Sequence, residues 1–323
     1  MVQIVFMGTP DFAVPTLEKL IETGEKISTV VTQPDRRQGR GKKLKPSPVK
    51  RFAQKNNFPV MQPEELNADA ISQLEALAPD VIVVVAYGQL LPEKVLNIPT
   101  YGCLNVHASL LPKYRGAAPI HRAIINGEKE SGVSIMRMER GMDTGPILAQ
   151  RKVTITETMT TGELHDSLAE IGAQLLAETL AKIAEVSPVT QQDSEATYAD
   201  KISKADEKLN WNRSAADIVN LVRGMNPWPG TYTTLEDKRL KIFDAELFPY
   251  RPMVKEKSNK CRPEPGMILE IVPTGIVVAT GDDNAVLVTR VQPPGKQKMP
   301  TADFLRGYRI MSGHRFGDGD SDA

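Results

Sequence analysis

The chain has 323 residues, 41% of them apolar and 25% charged, with 40 basic side chains against 40 acidic ones. At about 100–200 residues per domain the length predicts two domains, and the composition excludes a disordered chain. Balanced charge gives no global field for a nucleic acid or membrane, and the longest apolar runs, such as 81–86, fall far short of the roughly 20 residues of a bilayer span.

Residues 2–7 (VQIVFM) form an apolar run ending at Gly8, which predicts a buried strand. Pro15 suits the first turn of a helix, since its missing N–H is not needed there. Val14, Leu17, Leu20 and Ile21 follow at helical spacing and Gly24 ends the pattern. The β-branched run 27–32 predicts a second strand. A basic stretch follows, in which Arg36, Arg37, Arg40, Lys42, Lys43, Lys45, Lys50 and Arg51 face the single acid Asp35. Gly39 and Gly41 predict a mobile loop there. It is either a solvated surface or an arm for phosphates, and its spacing is not that of a Walker loop.

Ser47 caps the next predicted helix, with Pro48 in its first turn. Ile71, Leu74 and Leu77 mark another, leading to the strand 81–86. Further strands are predicted at 103–106, 133–138 and 147–155, and a helix at 120–125. Thr160 and Glu163 have capping-box spacing ahead of a long amphipathic helix through Leu164, Leu168, Ile171, Leu175, Leu176 and Leu180. Strands alternating with helices predict an α/β domain over 1–187, built on a Rossmann-like, mainly parallel sheet. Its first turn, GTPDF, lacks the dinucleotide fingerprint.

The polar segment 188–208 is expected to be a linker. A short helix at 218–222 and close-spaced strands at 231–235, 239–243, 267–272, 275–280 and 285–291 predict a small OB-like β-barrel over 209–317. The insert 249–265 has too few apolar residues to pack, and 318–323 reads as a tail. No secretory pattern opens the chain. Cys103 and Cys261 fit neither a disulfide framework nor a metal site. A reduced, cytoplasmic compartment is therefore expected.

In doubly wound sheets ligands sit beyond the carboxyl ends of the strands. The strand at 103–106 delivers Asn105 and His107 to that end, two residues apart and so on one side. Downstream, Asp143 lies between Gly141 and Gly145. An amide donor, an imidazole and a carboxylate suit acyl transfer to an amine: the first two can stabilise an oxyanion, and the third can orient and charge-balance the imidazole. Taken alone, His107 and Asn105 more often fill structural roles, and Asp143 is equally a turn residue stabilising its own backbone. No G-x-S-x-G nucleophile context accompanies them, and Cys103, His107 and Asp143 match no familiar metal spacing.

The segments GTPDFAVPTL, QPDRRQGRGKKLKPSPVK, VVVAYGQLLP, NVHASLLPKYRGAAPI, GMDTGPIL and NPWPG together resemble the methionyl-tRNA formyltransferase family. The resemblance covers the chain from Val2 to about Tyr308. It implies a Rossmann-like catalytic domain, a linker and an OB-like domain. It also implies formyl transfer from 10-formyltetrahydrofolate to the α-amine of initiator methionyl-tRNA, with the folate as co-substrate and no metal. Asn105, His107 and Asp143 match the family's catalytic triad, and Ser109, Leu110, Leu111 and Pro112 its folate-contacting loop. Arg40 matches its tRNA-inserting arginine, with Lys42 and Lys43 beside it; Lys238, Arg239, Lys241, Lys296 and Lys298 are further candidates for phosphate contact. The expected state is a monomer. The motif H-x-S-L-L-P with G-x-D-T-G is shared with formyltransferases acting on ribonucleotides and amino sugars, so an amine of that kind is the alternative acceptor. A non-catalytic tRNA- or folate-binding protein is the other.

Overall fold

In a computed structural model of the protein, residues 2–38, 43–250 and 263–317 are described. They divide into two compact units. The first comprises the chain up to Pro119, Glu130–Thr154 and His165–Asp200; the second comprises Ile120–Lys129, Ile155–Leu164 and the chain from Lys201 on.

The first unit follows the predicted alternation closely. Strand β1 (Gln3–Gly8) leads to helix α1 (Val14–Glu22), whose first turn holds Pro15. After β2 (Lys26–Val31), a short hairpin pairs β3 (Arg36–Gln38) with β4 (Lys43–Lys45). The flanks of the basic segment are therefore paired strands, where Gly39 and Gly41 had suggested a loop throughout. Arg40 and Lys42 lie outside the described residues, and Lys43 is exposed on β4.

Helix α2 (Pro48–Lys55) is capped as expected: the Ser47 hydroxyl accepts from Lys50 N–H at 3.0 Å. That hydroxyl also lies 2.7 Å from Thr32 Oγ1, which ties the cap to the end of β2. Then come β5 (Val60–Met61), α3 (Ala68–Ala76) capped by Asn67, β6 (Val81–Val85), α4 (Glu93–Leu96) and β7 (Cys103–His107). Helix α5 (Pro119–Ile125), β8 (Glu130–Arg137), β9 (Ile147–Thr154) and α6 (Thr161–Leu180) complete this half of the chain.

The seven-stranded sheet has the order β5-β2-β1-β6-β7-β8-β9. Its first five strands are parallel; β8 and β9 join antiparallel. Because both faces are covered, β6 is buried at every position. On one face Val5, Met7, Ile82, Val84 and Cys103 pack with Leu66, Ile71, Leu74 and Val95. Helix α6 comes close to β7 and β8 at Gly172, where a Cβ would lie 2.8 Å from Val106 Cγ1.

The second unit contains α7 (Ala215–Gly224), β10 (Thr231–Leu235), β11 (Lys238–Phe248), β12 (Ile268–Val272), β13 (Gly275–Ala279), β14 (Ala285–Gln292), β15 (Met299–Pro300) and α8 (Thr301–Gly307). The antiparallel order is β10-β11-β14-β13-β12, with β15 on β14. Ile218, Val222, Ile242, Ile276, Val288, Phe304 and Phe316 fill its core.

Two sequence expectations need correction. The segment expected to be a linker is not a free tether. Val189 exchanges two backbone hydrogen bonds with Ile147, each 2.8 Å, and Ala199 N–H donates to Arg115 O at 2.8 Å. Its polar composition hid this because much of its anchoring is through main-chain groups. Residues 120–129 and 155–164 also cluster with the second unit rather than the first. Arg122 reaches Asp206 at 3.0 Å, and the Arg223 guanidinium donates to Thr156 O and Met159 O at 3.1 Å each. Of the insert, residues 251–262 lie outside the described residues, as does the tail 318–323.

Candidate active site

Strand alternation places Asn105 and His107 on one side of β7 at its carboxyl end. Asp143 arrives from the turn between β8 and β9. Its carboxylate Oδ1 lies 3.5 Å from Asn105 Nδ2 and 3.7 Å from His107 Nδ1. Its other oxygen accepts from Gly116 N–H at 2.9 Å. The three side chains singled out in the sequence therefore converge, and His107 is only 7% exposed.

The imidazole is held from both ring nitrogens' sides. His107 Nε2 sits 2.8 Å from Tyr114 O. A carbonyl only accepts, so Nε2 carries the proton, and Nδ1 turns toward the carboxylate. Tyr114 O thus sets the ring plane, while Asp143 supplies a negative charge just beyond hydrogen-bond range.

In its turn Asp143 itself, rather than either flanking glycine, is left-handed, with φ 52°. Asp tolerates that region better than most residues. The glycines serve close approach instead: a Cβ on Gly145 would lie 1.9 Å from Arg137 O, and one on Gly141 2.1 Å from Thr144 Oγ1. Gln191 closes the turn from outside. Its Nε2 donates to Asp143 O at 2.8 Å and to Gly145 O at 2.7 Å. Its Oε1 accepts from Arg115 Nε at 3.1 Å. Nothing in the sequence marked Gln191, which stands in a polar stretch with no motif around it.

The loop Ser109–Pro112 is a scaffold as well as a wall. Ser109 Oγ donates to Tyr114 O at 2.8 Å, Ser134 Oγ donates to Ser109 O at 2.6 Å, and Gln150 Nε2 donates to Leu111 O at 2.9 Å. Ser109 and Leu111 are buried, at 2% and 3% exposed. Leu110 and Pro112 are the partly exposed members of the loop. Among the described residues no cluster of three or more His, Cys, Asp or Glu could hold a metal ion, and no helix is long and apolar enough to cross a membrane. Burial pushes the Cys103 thiol up to about 12, so on the buried strand it is a packing group.

The candidate phosphate contacts of the second unit fare unevenly. Lys241 Nζ donates to Pro229 O at 2.6 Å, and Lys298 Nζ donates to Pro227 O at 3.0 Å and lies 3.6 Å from the Phe243 ring centre. Arg239 stacks 3.8 Å over Tyr232. These three already have structural duties, whereas Lys238 and Lys296 project as exposed side chains.

The first unit thus presents an amide, an imidazole and a carboxylate at one strand end of a mainly parallel sheet, and an antiparallel β unit follows it in the chain. Family models described as formyl transferase and formyl transferase, C-terminal domain match residues 2–180 and 201–309, and the chain belongs to that family. Its full-length likeness is to methionyl-tRNA formyltransferases. That of Halothermothrix orenii is 50% identical over 319 residues, covering 97% of this chain and 99% of its own. That of Bacillus subtilis is 45% identical over 320 residues, covering 98% of each. Among solved structures, an N-formyltransferase from Helicobacter canadensis, in complex with folinic acid and dTDP-3-aminofucose, superposes with TM-score 0.65 at 18% identity. It covers 89% of this chain and 99% of that one, and shares the fold.

Proposed function

We propose that the chain transfers the formyl group of 10-formyltetrahydrofolate to the α-amine of methionyl-tRNA, with Asn105, His107 and Asp143 around the reacting carbon. The reading is carried by the convergence of these three side chains at the end of β7, in a chain 45–50% identical end to end to methionyl-tRNA formyltransferases.

The unprotonated amine attacks the formyl carbon, and the C=O pair moves onto oxygen. Asn105 Nδ2 donates to that oxyanion, and the imidazole adds positive charge beside it once Nδ1 takes a proton. Asp143 balances positive charge gathered at His107 Nδ1. Collapse of the tetrahedral species breaks the bond to folate N10. The leaving nitrogen takes up a proton as the amine nitrogen loses one, and the products are tetrahydrofolate and N-formylmethionyl-tRNA. Partly exposed Leu110 and Pro112 offer the apolar wall for the folate.

Arg40, Lys42 and Lys43 contact the tRNA backbone, where the charge density of the segment suits phosphate. Lys238 and Lys296 are the exposed phosphate candidates of the second unit. The protein acts in the cytoplasm as a monomer.

Incubation with radiolabelled 10-formyltetrahydrofolate and a panel of amine acceptors tests the assignment. The panel contains methionyl-tRNA, an amino-sugar nucleotide and an amino ribonucleotide. Label should appear on methionyl-tRNA; label on another acceptor alone would overturn the choice of substrate.

A further inference from the structure

Asp143 has a left-handed main chain in its turn, a conformation that a non-glycine residue keeps only where its surroundings fix it. Two groups fix it. Gly116 N–H holds Oδ2 at 2.9 Å, and the Gln191 amide spans the turn, donating to the carbonyls of Asp143 and Gly145 at 2.8 and 2.7 Å. A primary amide has two N–H donors on one nitrogen, so a single Gln191 side chain sets two peptide planes at once.

The amide is itself held. Arg115 Nε donates to Gln191 Oε1 at 3.1 Å, which orients the oxygen toward Arg115 and leaves the nitrogen facing the turn. Arg115 is 2% exposed, and its guanidinium reaches out to Asp193 at 2.8 Å. Ser109 Oγ donates to Tyr114 O beside His107 Nε2. Three consecutive residues thus act on the reacting centre: Tyr114 through its carbonyl on His107, Arg115 through Gln191 on the Asp143 main chain, and Gly116 through its N–H on the Asp143 carboxylate.

We propose that Gln191, anchored by the buried Arg115, is a positioning residue for the Asp143 carboxylate. It acts on the reaction only through Asp143, and its mechanistic part rests on the function proposed above. Losing the clamp frees the turn to leave its left-handed state. The carboxylate then moves off His107 and Asn105, while the surfaces that bind folate and tRNA stay as they were.

The test compares Gln191→Ala, Gln191→Glu, Asp143→Ala and the Gln191→Ala/Asp143→Ala double variant in the full-length protein. Gln191→Glu keeps the acceptor for Arg115 but replaces both donors. Misplacing a reacting group by about 1 Å costs on the order of 100-fold in rate, so both Gln191 variants should lose about 10- to 100-fold in kcat. The KM for folate and for methionyl-tRNA should stay within about twofold. In the double variant the second substitution should add nothing, as befits residues acting as one unit.

A readout independent of substrate accompanies the kinetics. The ring ¹⁵N resonances of His107 should shift in Gln191→Ala in the direction seen in Asp143→Ala, while those of His121, His165 and His314 stay in place. Wild-type kcat with unmoved His107 signals in Gln191→Ala would overturn the inference, as would additive losses in the double variant. A wild-type protein that fails to formylate methionyl-tRNA, with His107 signals still responding, would overturn the functional reading and leave the clamp standing.

Discussion

Asn105 carries the clearest expectation at the residue scale. Removing one oxyanion donor typically costs about 3–4 kcal/mol, a factor of 10²–10³ in rate. Asn105→Ala should show that loss in kcat with the KM for folate little changed, measured by initial rates over a range of folate concentrations. Gly116 is bound just as tightly to one role. Its φ is +114° and a Cβ would lie 2.8 Å from Ala199 O, while its N–H holds the Asp143 carboxylate. Gly116→Ala should destabilise the first unit by about 1–3 kcal/mol in denaturant melts and lower kcat with it. Asn105, His107 and Asp143 stood out in the sequence because strand period puts the first two on one side and two glycines frame the third; their convergence is tertiary. Gln191 and the Tyr114 carbonyl did not stand out. One is a polar residue whose burial depends on partners about 46–76 positions away, and the other is a main-chain group, which no residue pattern announces.

The elements were read well where local chemistry decides them. Ser47 and Pro48 opened α2, and the Thr160–Glu163 box formed, with Thr160 N–H donating to Glu163 Oε2 at 2.8 Å and Glu163 N–H to Thr160 Oγ1 at 3.3 Å. Of the 81–86 run, Val81–Val85 became a fully buried strand and exposed Ala86 fell outside it. The short β5, α4 and α8 escaped notice, being too brief to display a period. The β3–β4 hairpin escaped for another reason: its strands are exposed and charged, so alternation of polarity could not mark them. A close packing point also lay hidden at Gly172, where α6 backs the strand that carries Asn105 and His107. Gly172→Val places a branched side chain where a Cβ alone would meet Val106 at 2.8 Å. It should cost about 1–3 kcal/mol by overpacking, read as a lower midpoint in urea, with kcat falling as β7 shifts.

On the scale of the whole molecule, the two-domain forecast held, but the boundary did not fall where composition changed. Residues 120–129 and 155–164 cluster with the second unit, and the Arg122–Asp206 pair is one of the ties within it. Burial disfavours the charged form of Asp206, yet Ser203 Oγ and N–H and the Arg122 guanidinium outweigh it and hold the carboxyl down at about 2. A lowered carboxyl pKa stabilises the fold at pH above its unfolded value, about 3.9, and that stability is lost as pH falls through the folded value. Asp206→Asn should therefore melt lower at pH 7, by on the order of 1–2 kcal/mol, and the gap should close between pH 4 and 2. Tertiary ties of this kind are invisible to composition, because they join residues 84 positions apart. The charge of the basic segment was legible, and it leads to a salt effect. The kcat/KM for methionyl-tRNA should fall as salt rises, and replacing Arg40, Lys42 and Lys43 by alanine should flatten the log–log slope by about 2.

Single-turnover formyl transfer at saturating methionyl-tRNA, wild type against Asn105→Ala, bears most directly on the oxyanion chemistry at the end of β7. Wild type should deliver labelled formyl to the methionyl amine, and the variant should do so about 10²–10³ times more slowly with folate still bound. Equal rates in the two proteins would mean that the negative charge of the tetrahedral species is stabilised somewhere other than beside Asn105.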